Sequence, residues 1–554
     1  MKSQDQLSER FHALDATRAF ALLLGVVFHA AWFYTPGPLN TPVKDVSANH
    51  VYGWFFSASH SFRMQLFFLI AGFFAALMVK RRGAAALARN RFKRIVIPFV
   101  LGWAILFPLV ILVWIWGKTE SGQLPATLPP LKATLGAIFS GAIFVEKSQG
   151  GSFGLVHLWF LYFLILFNVA VLAGRSLLIR FFPESTSNAT ERLTMLVHWA
   201  MRSPFGVLTV AALMTPLLWS MKGWVGVTTP NQSLIPLWNS FAVYFLFFMG
   251  GWFLYRQSHV LPTLFHQWRF YLGAGMLLSV GLYVFYAQVR PYSLYLPSHA
   301  ISYRDVSDWD AFRASLASGT HSLEEDQAIH QLSTSLPANV QELIRTDAVS
   351  FDQQVAILQS INDVLADPDF RTEAFRFKVT LKDPRTKDQS VIQYNRDAVQ
   401  PYLSGVTEGD YRESAWHGPA KLAFSALYAV VMVFLVYGTL GIFQATCQKF
   451  SRIWRYLADS SYWVYLAHIP LVPAIQILIF DWQAPGFLKL TLLCSTSFVL
   501  LYGSCHYLVR STIVGKLLNG RAYPFTWHPF AVSTDQAPRK PASEPTPALT
   551  YLTE

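Results

Sequence analysis

The sequence predicts an all-α polytopic membrane protein of about ten transmembrane helices. Both termini are expected in the cytoplasm, with a small α+β extracytoplasmic insert between helices seven and eight. Three observations carry this reading. Of 554 residues, 53% are hydrophobic and only 14% charged, with 18 Trp, 23 Tyr and 45 Phe, whereas a soluble domain carries roughly a quarter charged residues. Ten stretches approach the roughly 20 apolar residues that a helix needs to cross a bilayer. Lys and Arg gather in alternate loops between those stretches, as the positive-inside rule requires.

The first stretch runs from Leu14 to Tyr34. It is long, contains Arg18 and His29, and has no small-residue cleavage site before Trp32 and Tyr34, so it reads as a retained helix rather than a signal peptide. Phe62 to Val79 follows. The loop after it, KRRGAAALARNRFKR from Lys80 to Arg94, has seven basic residues and no acidic one, which fixes it as cytoplasmic. Alternation from there runs through Ile95 to Trp116, Leu155 to Leu172, Phe205 to Met221, Leu234 to Tyr255, Phe270 to Val289, Leu422 to Phe443, Tyr462 to Phe480 and Leu490 to Val509. The remaining inside loops then hold Arg175, Arg180, Arg192 and Arg202; Arg256 and Arg269; Lys449, Arg452 and Arg455; and Arg510, Lys516 and Arg521.

Pro291 to Trp416 is the exception in composition. It carries 19 Asp and Glu against 11 Lys and Arg, a net −8 in a chain of +12. The basic excess therefore belongs to the membrane loops, and no nucleic-acid partner is expected. Within the insert, SFDQQVAILQSINDVLA from Ser350 to Ala366 spaces Val355, Leu358, Ile361 and Leu365 for an amphipathic helix, and FRFKVTL from Phe375 to Leu381 alternates like a strand. The organisation expected is a transmembrane core over 1–290, an inserted domain over 291–416, the remaining core over 417–521 and a cytoplasmic tail over 522–554, with composition after Ser533 that suits disorder. Cys494 and Cys505 share one apolar segment and Cys447 lies in a basic loop, so no disulfide is expected. No internal repeat is evident, which disfavours a transporter of two matching halves.

Ionisable groups within a bilayer are costly, and they mark function by default. Arg18 and His29 are eleven residues apart, which returns to within roughly 20° of one helical face and separates them by about 16 Å. Arg18 would stand near the cytoplasmic entrance, suited to phosphate, with His29 beyond the midplane as a base. The structural alternatives are headgroup anchoring for Arg18 and a hydrogen bond to a neighbouring carbonyl for His29.

LDATRAFALLLGVVFHA from Leu14 to Ala30 resembles the opening motif of the acyltransferase-3 membrane family. MQLFFLIAGFF from Met64 to Phe74, RFKRIVIP from Arg91 to Pro98, HLWFLYFLILF from His157 to Phe167 and SSYWVYLAHIP from Ser460 to Pro470 are similar to further blocks, in order. Within the family, HSFRMQLFF and HLWFLYF look most like the branch that succinylates periplasmic glucans. The resemblance implies transfer of an acyl group, succinyl for preference, from cytoplasmic acyl-CoA to hydroxyls of a periplasmic glucan or other envelope glycan. It also implies a multi-pass protein of the bacterial inner membrane with no permanently bound cofactor. No metal site is expected, and oligomeric state is left open.

The residues fit that task. Arg91 and Arg94, with Arg18, are candidates for the donor's phosphates, against the alternative of ordinary positive-inside anchoring. His29 is the candidate base or acyl carrier, and His468 a second intramembrane imidazole that assists it, binds substrate or packs as a core histidine. His60 and Arg63, three apart on one face, and His157 are expected at extracytoplasmic helix starts, to receive the glycan or, for Arg63, the free carboxylate of a succinyl group; interfacial anchoring is the alternative. The sequence departs from many relatives at Ala19 and Ala71, and Phe160, Leu161 and Tyr162 stand where some carry an acidic residue. The competing functions are a transporter of acyl donor or glycan, and a membrane scaffold whose insert binds glycan.

Overall fold

The computed structural model describes residues 11–36, 41–121, 129–139, 154–221, 226–230, 234–261, 265–294, 304–306, 333–346, 350, 376–382, 389–395, 417–520 and 523–527, with scattered positions between 353 and 364. Helices α1 (His12–Trp32), α2 (His50–Arg82) and α3 (Ala84–Arg91) lead through a π turn at Phe92–Val96 into α4 (Ile97–Glu120). There follow α5 (Pro130–Phe139), α6 (Trp159–Phe181), α7 (Pro183–Arg202), α8 (Pro204–Trp219), α9 (Trp238–Leu254) and α10 (Trp268–Leu294). The chain continues with α11 (Ala338–Arg345), α12 (His417–Thr446), α13 (Arg452–Ile477), α14 (Gly486–Ser504) and α15 (Ile513–Asn519).

Each of the ten apolar segments holds a helix, but among the described residues only seven helices are long and apolar enough to cross a bilayer by themselves. The protein is a helical polytopic membrane protein on that ground. The other three segments have identifiable reasons. Helix α9 has only 17 residues. Helix α13 begins on Arg452, Arg455 and Asp459 and contains Pro470 and Pro473. Helices α7 and α8 are bent by 107° from one another and make an eighth span only if taken together; the bend falls at Ser203, where the following Pro204 disfavours helical backbone.

Helix α2 runs through the middle of the apolar core, with Leu66, Phe68, Ile70 and Phe73 wholly buried. Its 33 residues span about 50 Å, because it starts at His50, capped by the Asn49 side chain, rather than at Phe62. The backbones of α2 and α9 touch where Gly72 faces the Phe248 carbonyl and Gly251 faces the Leu69 carbonyl, and a Cβ at either glycine would collide. Small residues at such crossings let helices approach in lipid, where hydrophobicity alone does not drive them together. Phe68 packs on Phe167 at 5.1 Å and on Tyr244 at 5.0 Å between ring centres, joining α2, α6 and α9. Ile105, Phe205, Leu277 and Val499 face outward and are exposed, as lipid-facing side chains are.

Between α10 and α12, three strands are described. Arg304–Val306 pairs parallel with Arg376–Lys382, which pairs antiparallel with Gln389–Asn395. The strand expected from Phe375 to Leu381 is met by the central one. The helix expected over Ser350 to Ala366 lies largely outside the described residues, although Ile357 and Ile361 within it are helical and buried. The tail after Ser533 lies outside them altogether.

Candidate functional site

Three imidazoles from three parts of the chain meet among the helices. The His29 ring on α1 is 5.2 Å from that of His468 on α13, centre to centre, and His468 is 5.6 Å from His157, which sits in a short 3-10 turn just before α6. Local chemistry in α13 holds two of them. Proline has no N–H, so Pro470 leaves the carbonyl of Leu466, four residues earlier, without its helical partner. His157 supplies it, Nε2 donating to Leu466 O at 3.1 Å. In a membrane such replacement donors are what make proline tolerable within a helix. His157 is further fixed by the Tyr465 hydroxyl, which donates to its backbone carbonyl at 2.6 Å.

His468 makes the matching bond with its other nitrogen, Nδ1 donating to Tyr465 O at 2.7 Å. A carbonyl only accepts, so in the neutral rings the lone pair falls on Nε2 of His468 and on Nδ1 of His157. The latter atom is buried without a partner. His29 differs from both. It is part-exposed, and among the described residues no hydrogen bond engages either of its nitrogens. It is the one imidazole of the three free to meet a substrate proton.

Arg63 stands beside this cluster. The longer α2 corrects the expectation for His60 and Arg63: they lie about three turns inside the helix rather than at its start. Arg63 is only 8% exposed, which rules out interfacial anchoring for it. Its guanidinium rests 4.1 Å from the centre of the Phe28 ring, and a Cβ at Gly25 would come within 3.1 Å of Nη1, so the missing side chain there makes room for it against α1. Its Nε is buried without a hydrogen-bond partner, and no carboxylate pairs with it among the described residues. A desolvated guanidinium held only by a ring face is costly; its five donors suit an anion brought from outside. His60, one turn away, is held by the Tyr428 and Thr229 hydroxyls, both at 3.4 Å. His157 keeps its place at a helix start but is buried, so it too is no surface anchor.

Arg18, Arg91 and Arg94 form a second group. The uninterrupted α1 keeps Arg18 eleven residues, about 16 Å, from His29. Arg91 lies within electrostatic range of Arg18 and Arg94. Arg18 pairs with Asp15 at 3.3 Å and reaches over Phe74. Arg91 Nε donates to the neutral Asn168 Oδ1 at 3.4 Å, and Arg94 donates to the Asn519 carbonyl at the end of α15. No carboxylate pairs with Arg91 among the described residues, so the group keeps positive charge for an anionic partner.

One buried constellation was not foreseen from the sequence. Lys489 at the start of α14 pairs with Asp45, from the loop between α1 and α2, at 2.8 Å, with both side chains fully buried. The same ammonium donates to Phe480 O at 3.0 Å and Trp482 O at 2.8 Å. Asp45 also accepts from Gln476 Nε2 at 2.8 Å and from Ser47 N at 2.8 Å, and Gln476 accepts from the Tyr34 hydroxyl at 3.1 Å. The one signal available was a lysine immediately before the apolar run from Leu490. No group of His, Cys, Asp and Glu among the described residues is arranged to hold a metal ion.

Compared with known proteins, residues 11–313, a little over half of the chain, match the family described as an acyltransferase domain; His468 lies beyond that match. Glucans biosynthesis protein C of Escherichia coli strain SMS-3-5 is 28% identical over 164 residues, and that of strain K12 is 27% identical over 161. The Shigella dysenteriae serotype 1 protein of the same name is 27% identical over 164 residues. Each alignment covers 28% of this chain and 37% of the relative, so the chain spans little more than a third of the length of the curated relatives it matches. No solved structure matches it.

Proposed function

This chain belongs to the acyltransferase-3 family, and from that premise we propose that it is an integral membrane O-acyltransferase. It moves an acyl group, best taken as succinyl, from cytoplasmic acyl-CoA to a hydroxyl of a periplasmic glucan or related envelope glycan. The name of its relatives supports a glucan as acceptor. The ten helical segments then cross the bacterial inner membrane with both termini inside and the insert outside, as the basic loops favour.

The observation that carries this reading is the pairing of an unbonded, part-exposed His29 with a buried guanidinium that lacks an anion, about 16 Å along one helix from a cluster of arginines. Arg18, Arg91 and Arg94 take the phosphates of the donor, and its extended arm reaches the imidazoles. His29 removes the proton of the acceptor hydroxyl as the oxygen attacks the thioester carbonyl. The new ester C–O bond forms, the C–S bond breaks, and the thiolate leaves and takes the proton back from His29. His468, whose Nδ1 is bonded to Tyr465 O and whose ring centre lies 5.2 Å from that of His29, is a positioning residue: in the reacting complex its unused Nε2 accepts from His29 and keeps the opposite nitrogen basic. Arg63 receives the free carboxylate of the acyl group through paired donors.

Purified protein in detergent, given labelled succinyl-CoA and glucan, should form labelled glucan, and His29→Ala should lose about 10²- to 10⁴-fold of that rate while eluting as a folded protein. Detergent abolishes compartments, so a transporter would make no product. Undiminished product from His29→Ala would overturn the mechanism.

A further inference from the structure

Beyond His29, away from Arg18, aromatic side chains from α1, α2 and α4 gather. Trp32 follows His29 by three residues, less than one turn, and its ring centre lies 6.4 Å from the imidazole. It is 6.2 Å from Phe56 of α2, nearly parallel at 20°, and 6.3 Å from Trp114 of α4, whose ring is tilted by 51° so that the two indoles form an angled notch. Phe56 in turn stacks 6.4 Å from His60 at 17°. All five of these side chains are part-exposed, while Phe28 and Arg63 behind them are buried. These rings therefore stand part-exposed beside the unbonded His29.

The polar edges of this wall are unused as well. Among the described residues, neither the Trp32 nor the Trp114 indole N–H has a hydrogen-bond partner. A buried or ligand-facing indole normally finds an acceptor. Flat ring faces with free donors at their rims match one chemistry closely: a pyranose, whose axial C–H groups present an apolar face and whose hydroxyls surround it. An acyl chain of a lipid would cover the faces but leave the indole N–H groups and His29 without acceptors.

We infer that Trp32 and Trp114, flanked by Phe56, form a stacking platform for a pyranose ring of the acceptor, holding it one helical step above His29. This inference rests on the proposed transfer to a glycan and names the part of the site that takes the sugar. The platform separates acceptor recognition, at the aromatic end of α1, from donor recognition at the Arg18 end.

The test is equilibrium binding of tritiated β-linked glucotetraose to the full chain in nanodiscs without donor. Trp32→Ala and Trp114→Ala should each weaken binding about tenfold, the scale of losing one buried aromatic face. Trp32→Phe and Trp114→Phe keep a ring and should stay within about threefold, which guards against a folding defect in the alanine variants. Trp219→Ala, which removes an exposed tryptophan remote in sequence from Trp32 and Trp114, should bind as wild type does. Alanine variants that bind glucotetraose like wild type would reduce the rings to membrane-interface anchors and overturn the platform, as would wild-type protein that does not bind it. Wild-type protein that binds glucotetraose through these rings but never acylates it would sink the proposed reaction and leave the platform standing. Acylation that proceeds while both alanine variants bind normally would do the reverse.

Discussion

Two buried polar clusters differ in one respect. Around Lys489 every donor is matched: the ammonium has three hydrogens and three acceptors, at Asp45, Phe480 O and Trp482 O. Around Arg63 the donors outnumber the acceptors, since a guanidinium with five N–H groups has a ring face for company and a buried Nε with no partner. A completed network ties elements together. It joins the loop after α1 to the C-terminal end of α13 and the start of α14, so α1 and α13, which carry His29 and His468, are each fixed at one end. An incomplete network in the same protein invites a ligand, because an orphaned buried charge costs the fold free energy that only an incoming anion recovers. The contrast separates scaffold from site without reference to sequence position.

The sharpest way to break that contrast is Lys489→Met. It leaves the Asp45 carboxylate buried and unpaired and should cost about 3–5 kcal/mol of stability, read as a lower unfolding temperature in detergent. Adding Asp45→Asn should recover most of the loss, since the uncompensated charge is then gone. If Lys489→Met unfolds like wild type, the network does not hold these elements together.

Arg63→Met should behave oppositely. Removing an unpaired buried cation should leave the unfolding temperature unchanged or raised. Activity with succinyl-CoA should fall by about 10- to 100-fold, the worth of a charge-assisted hydrogen bond of about 1.5–3 kcal/mol, while activity with acetyl-CoA, which has no free carboxylate, should stay within about threefold. Equal losses with both donors would take the carboxylate away from Arg63.

The smallest effect belongs to Pro470→Ala. It restores an N–H to compete with His157 for the Leu466 carbonyl, so His157 should lose its fixed orientation at a cost of about 1 kcal/mol. A fivefold fall in rate with unchanged donor binding would be consistent with that; unchanged rate would mean that the proline does not orient the imidazole.

Much of the donor side was legible in the sequence. Helix periodicity alone put Arg18 and His29 on one face, and the basic run from Lys80 to Arg94, which folds as the end of α2, α3 and a π turn rather than as a loop, announced Arg91 and Arg94, because these are local facts of spacing and composition. His468 and Arg63 were visible as ionisable residues in apolar surroundings, but their situation was misjudged for Arg63, since nothing in the run from His50 to Phe62 marks how far a polar helix start extends before burial begins. The Leu466 carbonyl could have been named as orphaned from Pro470 four residues on. Its partner could not, being 309 residues away.

What the sequence determined by itself is therefore the class of protein, the helical segments and the candidate residues, all of which follow from the demand that a helix in lipid be apolar and that its few charges mean something. What only the tertiary structure decided is which of those candidates meet, and which are already satisfied. Asp45 lies in an ordinary polar loop and Lys489 at an ordinary helix start; Trp32, Phe56 and Trp114 are three aromatics among many. Pairing and exposure are properties of chains brought together over long separations, and no local pattern of residues encodes whether a buried donor will find its acceptor.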